Sequence, residues 1–369
     1  MTIGAGTCAR LELGQRLVMN DTRRFRQERT KDMSITRRTV IQGLAALGAI
    51  PVLGATSRGV SAQEQPGTVR LAYAYYNPSS LALRRFGWLE EALQEQGIGV
   101  EWVFSAGSNK ANEYLRSEAI DFGSTAGAAA LLARANGSPI KTVYIYSKPE
   151  WTALVVPADS PITSVADLKG KKVAATKGTD PYFFLLQSLN EAGLSGADVE
   201  VINLQHADGR TALERGEVDA WAGLDPMMAA SELDAGSKLI YRNIDFNTYG
   251  FLNANEEFIT QYPELTTTVL EGYERARQWI LENPDDAAQI LAEEAKISTE
   301  VAKRELVERT VLDLDPVPGA TQVEVLRGVI PIMVAENQVK PGTDVEAVLN
   351  ELLAPEFAAN VVTAEEPSA

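Results

Sequence analysis

From Thr68 onward the chain alternates between short apolar runs and stretches with apolar residues at helical spacing. TVRLAYAYY, from Thr68 to Tyr76, reads as a strand, because a strand buried on both faces carries a near-continuous apolar run. Leu81 to Gln96 repeats its apolar residues one helical turn apart and is stopped by Gly97, which predicts one helix. The alternation continues with a strand at 99–105, a helix at 109–117, a strand at 119–125, an Ala-rich helix at 126–136 and a strand at 141–146. A second unit begins near Trp151, where the runs TALVVP, KKVAATKG, VEVINL, VDAWAGL and SKLIYR are separated by helical patterns. Such alternation builds an α/β fold, with parallel strands and helices on the sheet faces. After Thr248 the texture changes. YGFLNAN reads as one more strand, and from Asn255 to about Asn360 nearly every segment is helical, broken at Asn283-Pro284 and between Leu314 and Gly319.

The first 62 residues do not share this pattern. Ser34 to Ala62 opens with Arg37-Arg38, continues through a mildly apolar run from Val40 to Ala55, and closes on Val60-Ser61-Ala62. A basic start, an apolar middle and a small-residue exit describe an export signal, and the paired arginines point to the twin-arginine (Tat) route. The apolar run is shorter than the roughly 20 residues that span a bilayer. On this reading the mature chain starts near Gln63, the protein is periplasmic, and residues 1–32 precede a second start at Met33.

Charge and composition narrow the function classes. The 369 residues carry a formal charge of −16. The first 62 hold ten of the 34 Lys and Arg but four of the 50 Asp and Glu, so residues 63–369 carry −22. A chain this acidic is a poor partner for nucleic acid, where Lys and Arg must neutralise phosphates. One cysteine, Cys8, makes no internal disulfide, and with the single His206 it makes no four-ligand zinc site. The sequence calls for no metal or cofactor. GxSxG, Walker and GxGxxG signatures are absent, and one His without a Cys in the mature chain gives little basis for nucleophilic catalysis. An enzyme would have to work with carboxylates alone, and a sensor module would need an attached domain.

Several stretches, in order, resemble the substrate-binding proteins of aliphatic sulfonate, taurine and nitrate ABC importers. RRFGWLEEALQEQGIGVEWVFSAGSN is similar to that family's opening helix and strand, AIDFGSTAGAAALLARANG to its next turn and helix, DSPITSVADLKGKKVAATKGTDPYFFL to its central segment, and HADGRTALERGEVDAWAGLDPM to the block that ends in Asp-Pro. The resemblance implies a two-lobed periplasmic binding protein fold (type II), each lobe a sheet flanked by helices, with two crossover strands as hinge. Lobe one would be 68–150 plus 252–369 and lobe two 151–251. It also implies a small anionic ligand, such as an alkanesulfonate, passed to a membrane permease with its cytoplasmic ATPase, and a monomeric receptor. Taurine, an arylsulfonate, nitrate and a heterocyclic precursor remain alternatives.

Simple physics indicates how such a chain holds an anion. Helix amino ends carry unpaired N–H donors and partial positive charge, and ligands of open α/β sheets bind at strand carboxyl ends. Three strand-to-helix turns qualify: Tyr75 to Ser80, with Tyr76 and Asn77; Gly123 to Ala126, with Ser124 and Thr125; and Gly178-Thr179-Asp180-Pro181. Asp180 would compete with an anion for donors, so it either reads a ligand amine or caps its helix and faces away. Asp225 offers the same choice. Trp221 reads as core or as cleft wall. Tyr76, Trp151 and Tyr182 are candidates for an apolar wall, His206 reads as a satisfied loop residue, and Arg210 is a weaker candidate for the anion.

Overall fold

The computed structural model of the chain describes residues 65–364. The export signal and the start at Met33 lie outside them. No helix among the described residues is long and apolar enough to cross a membrane.

In chain order the strands are β1 (Thr68–Tyr73), β2 (Gly99–Phe104), β3 (Phe122–Ala126), β4 (Ile140–Pro149), β5 (Leu154–Val156), β6 (Lys172–Ala175), β7 (Glu200–Asn203), β8 (Ala220–Ala222), β9 (Lys238–Tyr241), β10 (Gly250–Asn255) and β11 (Thr310–Val311). The helices are α1 (Pro78–Phe86), α2 (Trp88–Gln94), α3 (Ser108–Arg116), α4 (Gly127–Ala135), α5 (Asp180–Glu191), α6 (His206–Glu214), α7 (Met227–Ala235), α8 (Glu256–Gln261), α9 (Pro263–Glu282), α10 (Pro284–Ala295), α11 (Thr299–Lys303), α12 (Ala320–Ala335), α13 (Val345–Leu352) and α14 (Pro355–Ala364).

Two sheets organise these elements, each the centre of one lobe. The first has the order β11-β4-β10-β3-β1-β2 and the second β7-β6-β8-β5-β9. β1 runs parallel to β2 and β3, whereas β10 returns antiparallel between β3 and β4. In the second sheet β6 is parallel to β7 and β8, and β5 is antiparallel to β8 and β9. The chain crosses between the sheets after β4 and again before β10.

The apolar runs form strands because both faces are covered. In the second sheet Leu154 and Val156 pack into one cluster with Phe184 and Leu185, while Val155 between them joins Trp221, Leu213 and Met228 on the other face. In the first sheet Leu252 points to the large cluster around Tyr273 and Leu270, and Phe251 points to the cluster with Leu326 and Met333. Side chains that alternate between faces in this way need apolar residues at every position, not at every second one.

Two local expectations change. The single helix of Leu81 to Gln96 is two helices, because Gly87 adopts a left-handed conformation (φ +66) that ends α1. Gly123 to Ala126, expected as a turn at the end of the strand at 119–125, continues that strand as part of β3, and the helix starts at Gly127.

Candidate functional site

The carboxyl ends of β1, β3 and β6 converge with both crossovers. Every predicted site residue except the half-buried Gly178 and Arg210 is at most 5% exposed.

On the first lobe, Asn77 caps α1 by accepting from Ser80 N and donates to Ser124 Oγ at 2.5 Å. The Tyr76 hydroxyl donates to Ser124 O at 3.0 Å and lies 3.4 Å from Ser105 Oγ. Burial pushes its pKa well above the usual phenol value. Thr125 Oγ1 accepts from Asn253 Nδ2 at 2.7 Å. Ser124 and Thr125 therefore sit in the strand expected at 119–125, as members of a polar network whose partners hydrophobic periodicity cannot reveal.

On the second lobe, Gly178 takes a left-handed φ of +79, and Thr179 Oγ1 donates to Thr176 O at 2.6 Å, shaping the loop into α5. Asp180 accepts from Trp151 Nε1 at 3.0 Å, Thr248 N at 2.8 Å and Thr248 Oγ1 at 2.6 Å. Both Trp151 and Thr248 belong to crossovers, so this carboxylate ties α5 to the hinge. Burial raises its pKa to about 6 against the lowering effect of its donors. Trp151 stands edge-on to Tyr76, with ring centroids 6.0 Å apart. Trp151 is thus both an aromatic wall beside Tyr76 and a donor to Asp180.

Other candidates are placed elsewhere or differently paired. Trp221 lies in the core of the second lobe, its indole pressed against Gly209 of α6, and does not line the cleft. Arg210 is engaged by Glu214 and Asp234. Tyr182 packs on the second-lobe cluster. Asp225 accepts from Ala229 N at 2.8 Å and from Arg309 Nη1 at 3.2 and 3.3 Å. Its pKa is raised to about 6, with burial the main cause and the Arg309 charge opposing it.

The structure also brings in residues that the sequence did not single out. Arg309 follows α11, and its guanidinium pairs with Asp225 and Glu232 of the second lobe. Glu305 is 3% exposed, and its Oε2 lacks a hydrogen-bond partner. Burial and the nearby charge of Asp225 hold its pKa well above the carboxylate range. The buried hydroxyls of Ser79, Tyr146, Ser147 and Thr152 are also without partners. The charges of Asp180 and Glu305 both act on Tyr146. Buried polar atoms are normally satisfied, so unpartnered hydroxyls grouped around a cleft mark a place for water or a ligand. Nothing in the local sequence flags Arg309 or Glu305, because their roles depend on the late helical segment folding back against the crossover.

A family model described as NMT1/THI5 like matches residues 92–287. The chain belongs to the NMT1/THI5-like family. An Escherichia coli relative named "Putative aliphatic sulfonates-binding protein" is 32% identical over 211 residues, covering 57% of this chain and 66%, just under two thirds, of the relative. The fold matches the alkanesulfonate-binding protein SsuA from Xanthomonas axonopodis pv. citri bound to MOPS, with a TM-score of 0.71 and 23% identity over 79% of this chain and 99% of that one. The desulfurization enzyme DSZB has the same fold, with a TM-score of 0.60 and 16% identity over 82% of this chain and 100% of that one. The same fold is therefore shared by a binding protein and an enzyme, and function has to be argued from the site residues.

Proposed function

We propose that the chain is the substrate-binding component of an ABC importer, which captures an aliphatic sulfonate between its lobes in the periplasm and delivers it to a membrane permease with its ATPase. The observation that carries this reading is the set of buried hydroxyls and amides where the strand ends meet the two crossovers, several of them without a partner. A sulfonate has three acceptor oxygens and one charge, so hydroxyl and N–H donors satisfy it. The relatives named for sulfonate binding support the same ligand class. Closure of two lobes about crossover strands then signals occupancy, because ligand stabilises the closed form by its differential affinity. We assign Tyr76, Asn77, Ser124, Thr125, Trp151, Gly178, Thr179, Asp180 and Asp225 to the cleft or its immediate support. Export through the twin-arginine signal and a mature start near Gln63 belong to the same reading.

Thermal shift of the purified protein with ethanesulfonate, taurine, benzenesulfonate and nitrate tests it. A sulfonate at a hundred times its Kd adds about 2.7 kcal/mol, which raises Tm by about 5 °C. No shift with any sulfonate sinks the sulfonate reading, and catalytic turnover of a panel member replaces the receptor with an enzyme. Glu305 favours one second reading. Its unpartnered carboxyl oxygen close to Asp225 would suit a ligand ammonium, and a far larger shift with taurine than with ethanesulfonate identifies that case.

A further inference from the structure

His206, read from sequence as a satisfied loop residue, is only half satisfied. Thr176 Oγ1 donates its single hydrogen to Leu204 O at 2.7 Å, so the contact of 3.2 Å between Thr176 Oγ1 and His206 Nδ1 requires the ring to be the donor. The neutral imidazole therefore carries its proton on Nδ1 and a bare lone pair on Nε2. Nε2 is buried without a partner, in a side chain only 3% exposed.

That nitrogen faces the other lobe. A methyl group added at Gly107 would lie 2.9 Å from His206 Nε2 and 2.9 Å from Asn109 Oδ1. Gly107 has an extended backbone, with φ 166, which any residue adopts. It is the close approach of the imidazole that calls for glycine here. Gly107 is also the residue before α3, and Gln205 the residue before α6. Neither helix is capped by a side chain at its amino end. Asn109 Oδ1 and Gln205 Oε1 are buried and unpartnered as well. The seam is continuous with the rest of the cleft, since Ser105 Oγ donates to Gly107 O at 2.9 Å and lies 3.4 Å from the Tyr76 hydroxyl.

We propose that His206 is a proton-linked ligand contact, whose Nε2, once protonated, donates to the anionic group of the ligand at the seam between Gly107 of α3 and the start of α6. This rests on the reading of the cleft as an anion receptor and names the residue that couples it to pH. Helix amino ends favour an anion at this seam and disfavour a lone imidazolium. The ring thus gains its proton only together with the ligand.

The charged groups on the surrounding elements are Lys110, Glu113 and Arg116 of α3, the first two paired with each other, Asp208, Arg210 and Glu214 of α6, the last two also paired, Asp180 and Glu191 of α5, and Lys177 over the Tyr182 ring. Burial alone accounts for the depressed His206 pKa, about 3 with the lobes closed. In an open cleft the imidazole returns to about 6.5, and contact with an anion raises it further. Binding then takes up a proton, and affinity falls as pH rises above about 6.5, by up to tenfold per unit. If His206 only packed, closure would bury a neutral ring, and affinity would instead fall on acidification.

Calorimetric titration of the full chain with ethanesulfonate from pH 5.5 to 8, in two buffers of different ionisation enthalpy, separates these cases. Wild type is expected to take up close to one proton near pH 7 and to weaken toward pH 8, while His206→Gln binds with a flat profile above pH 6.5. Below pH 6 Asp180 and Asp225 titrate too, so the difference between the two proteins is the readout. Gly107→Ala, whose methyl would press on His206 Nε2 in the closed form, should weaken binding at pH 6.5 by tenfold or more. A flat wild-type profile, a slope shared with His206→Gln, or full affinity in Gly107→Ala overturns the His206 assignment while leaving the receptor intact. No binding of ethanesulfonate at any pH overturns the sulfonate reading and this inference with it.

Discussion

Asp180 carries a negative charge into a nearly dry place, and its three donors do not fully offset the loss of water. Its pKa of about 6 lies above the ordinary carboxylate value, so the folded state holds the protonated form better than the unfolded chain does. The corresponding stability is complete below about pH 4 and is lost as pH rises through 6. Asp180→Asn has no such titration. Relative to wild type, the variant should therefore gain stability between pH 4 and 6, by up to about 1.4 kcal/mol per unit. Urea unfolding at pH 4, 5, 6 and 7 measures the difference, and a constant offset across that range contradicts the assignment. The sequence reading offered two roles for Asp180, reading an amine or capping α5. Neither anticipates Trp151 and Thr248 as partners, because they meet Asp180 only after the two crossovers come together.

At the scale of elements, what was legible followed from burial. The strands of both sheets could be found because residues such as Leu154, Val155 and Val156 enter opposite clusters and are all apolar. The helical character of the chain after Asn255 was legible for the usual periodic reason. Boundaries set by backbone conformation or polar networks were not. Gly87 splits one expected helix, and Ser124 and Thr125, inside the strand expected at 119–125, are satisfied by Asn77 and Asn253, which no local pattern indicates. Gly127, at the first position of α4, shows how tightly the elements meet at the return crossover. Its N–H lies 3.2 Å from Thr248 O and 3.3 Å from Tyr249 O, and a Cβ would come within 2.9 Å of Phe251 and 3.1 Å of Leu326. Adding that methyl forces either α4 or the crossover to move. Gly127→Ala should cost about 1–3 kcal/mol, the usual range for overpacking, seen as a lower urea midpoint with an unchanged slope. A neutral effect would mean that the crossover yields freely.

The closed form of the molecule is held by contacts at more than one point across its lobes. Helix α12 places Val329 and Met333 in a cluster with Phe183 of the second lobe, and Ile332 packs on that lobe's own core. On the crossover side, Glu150 N donates to Arg309 O at 2.6 Å, Asp225 N donates to Trp151 O at 3.0 Å, and the Arg309 side chain joins the two segments through Asp225 and Glu232. The guanidinium is 3% exposed and the Asp225 side chain is fully buried. Removing the cation leaves a buried carboxylate unpaired, a loss of about 3–5 kcal/mol when the charge is retained. Asp225 has an escape, since it already titrates near 6 and takes up a proton once Arg309 no longer opposes it. Arg309→Met should therefore be markedly less stable than wild type at pH 7.5 and closer to it at pH 5.5, because acid supplies the neutral form. With saturating ligand at pH 7.5, the same variant should show a larger radius of gyration than wild type by X-ray scattering, as one tie that holds the closed form is gone. Equal stability at both pH values, with an unchanged radius, would mean that the ion pair contributes no more than well-packed apolar side chains would, and that α12 alone keeps the lobes together.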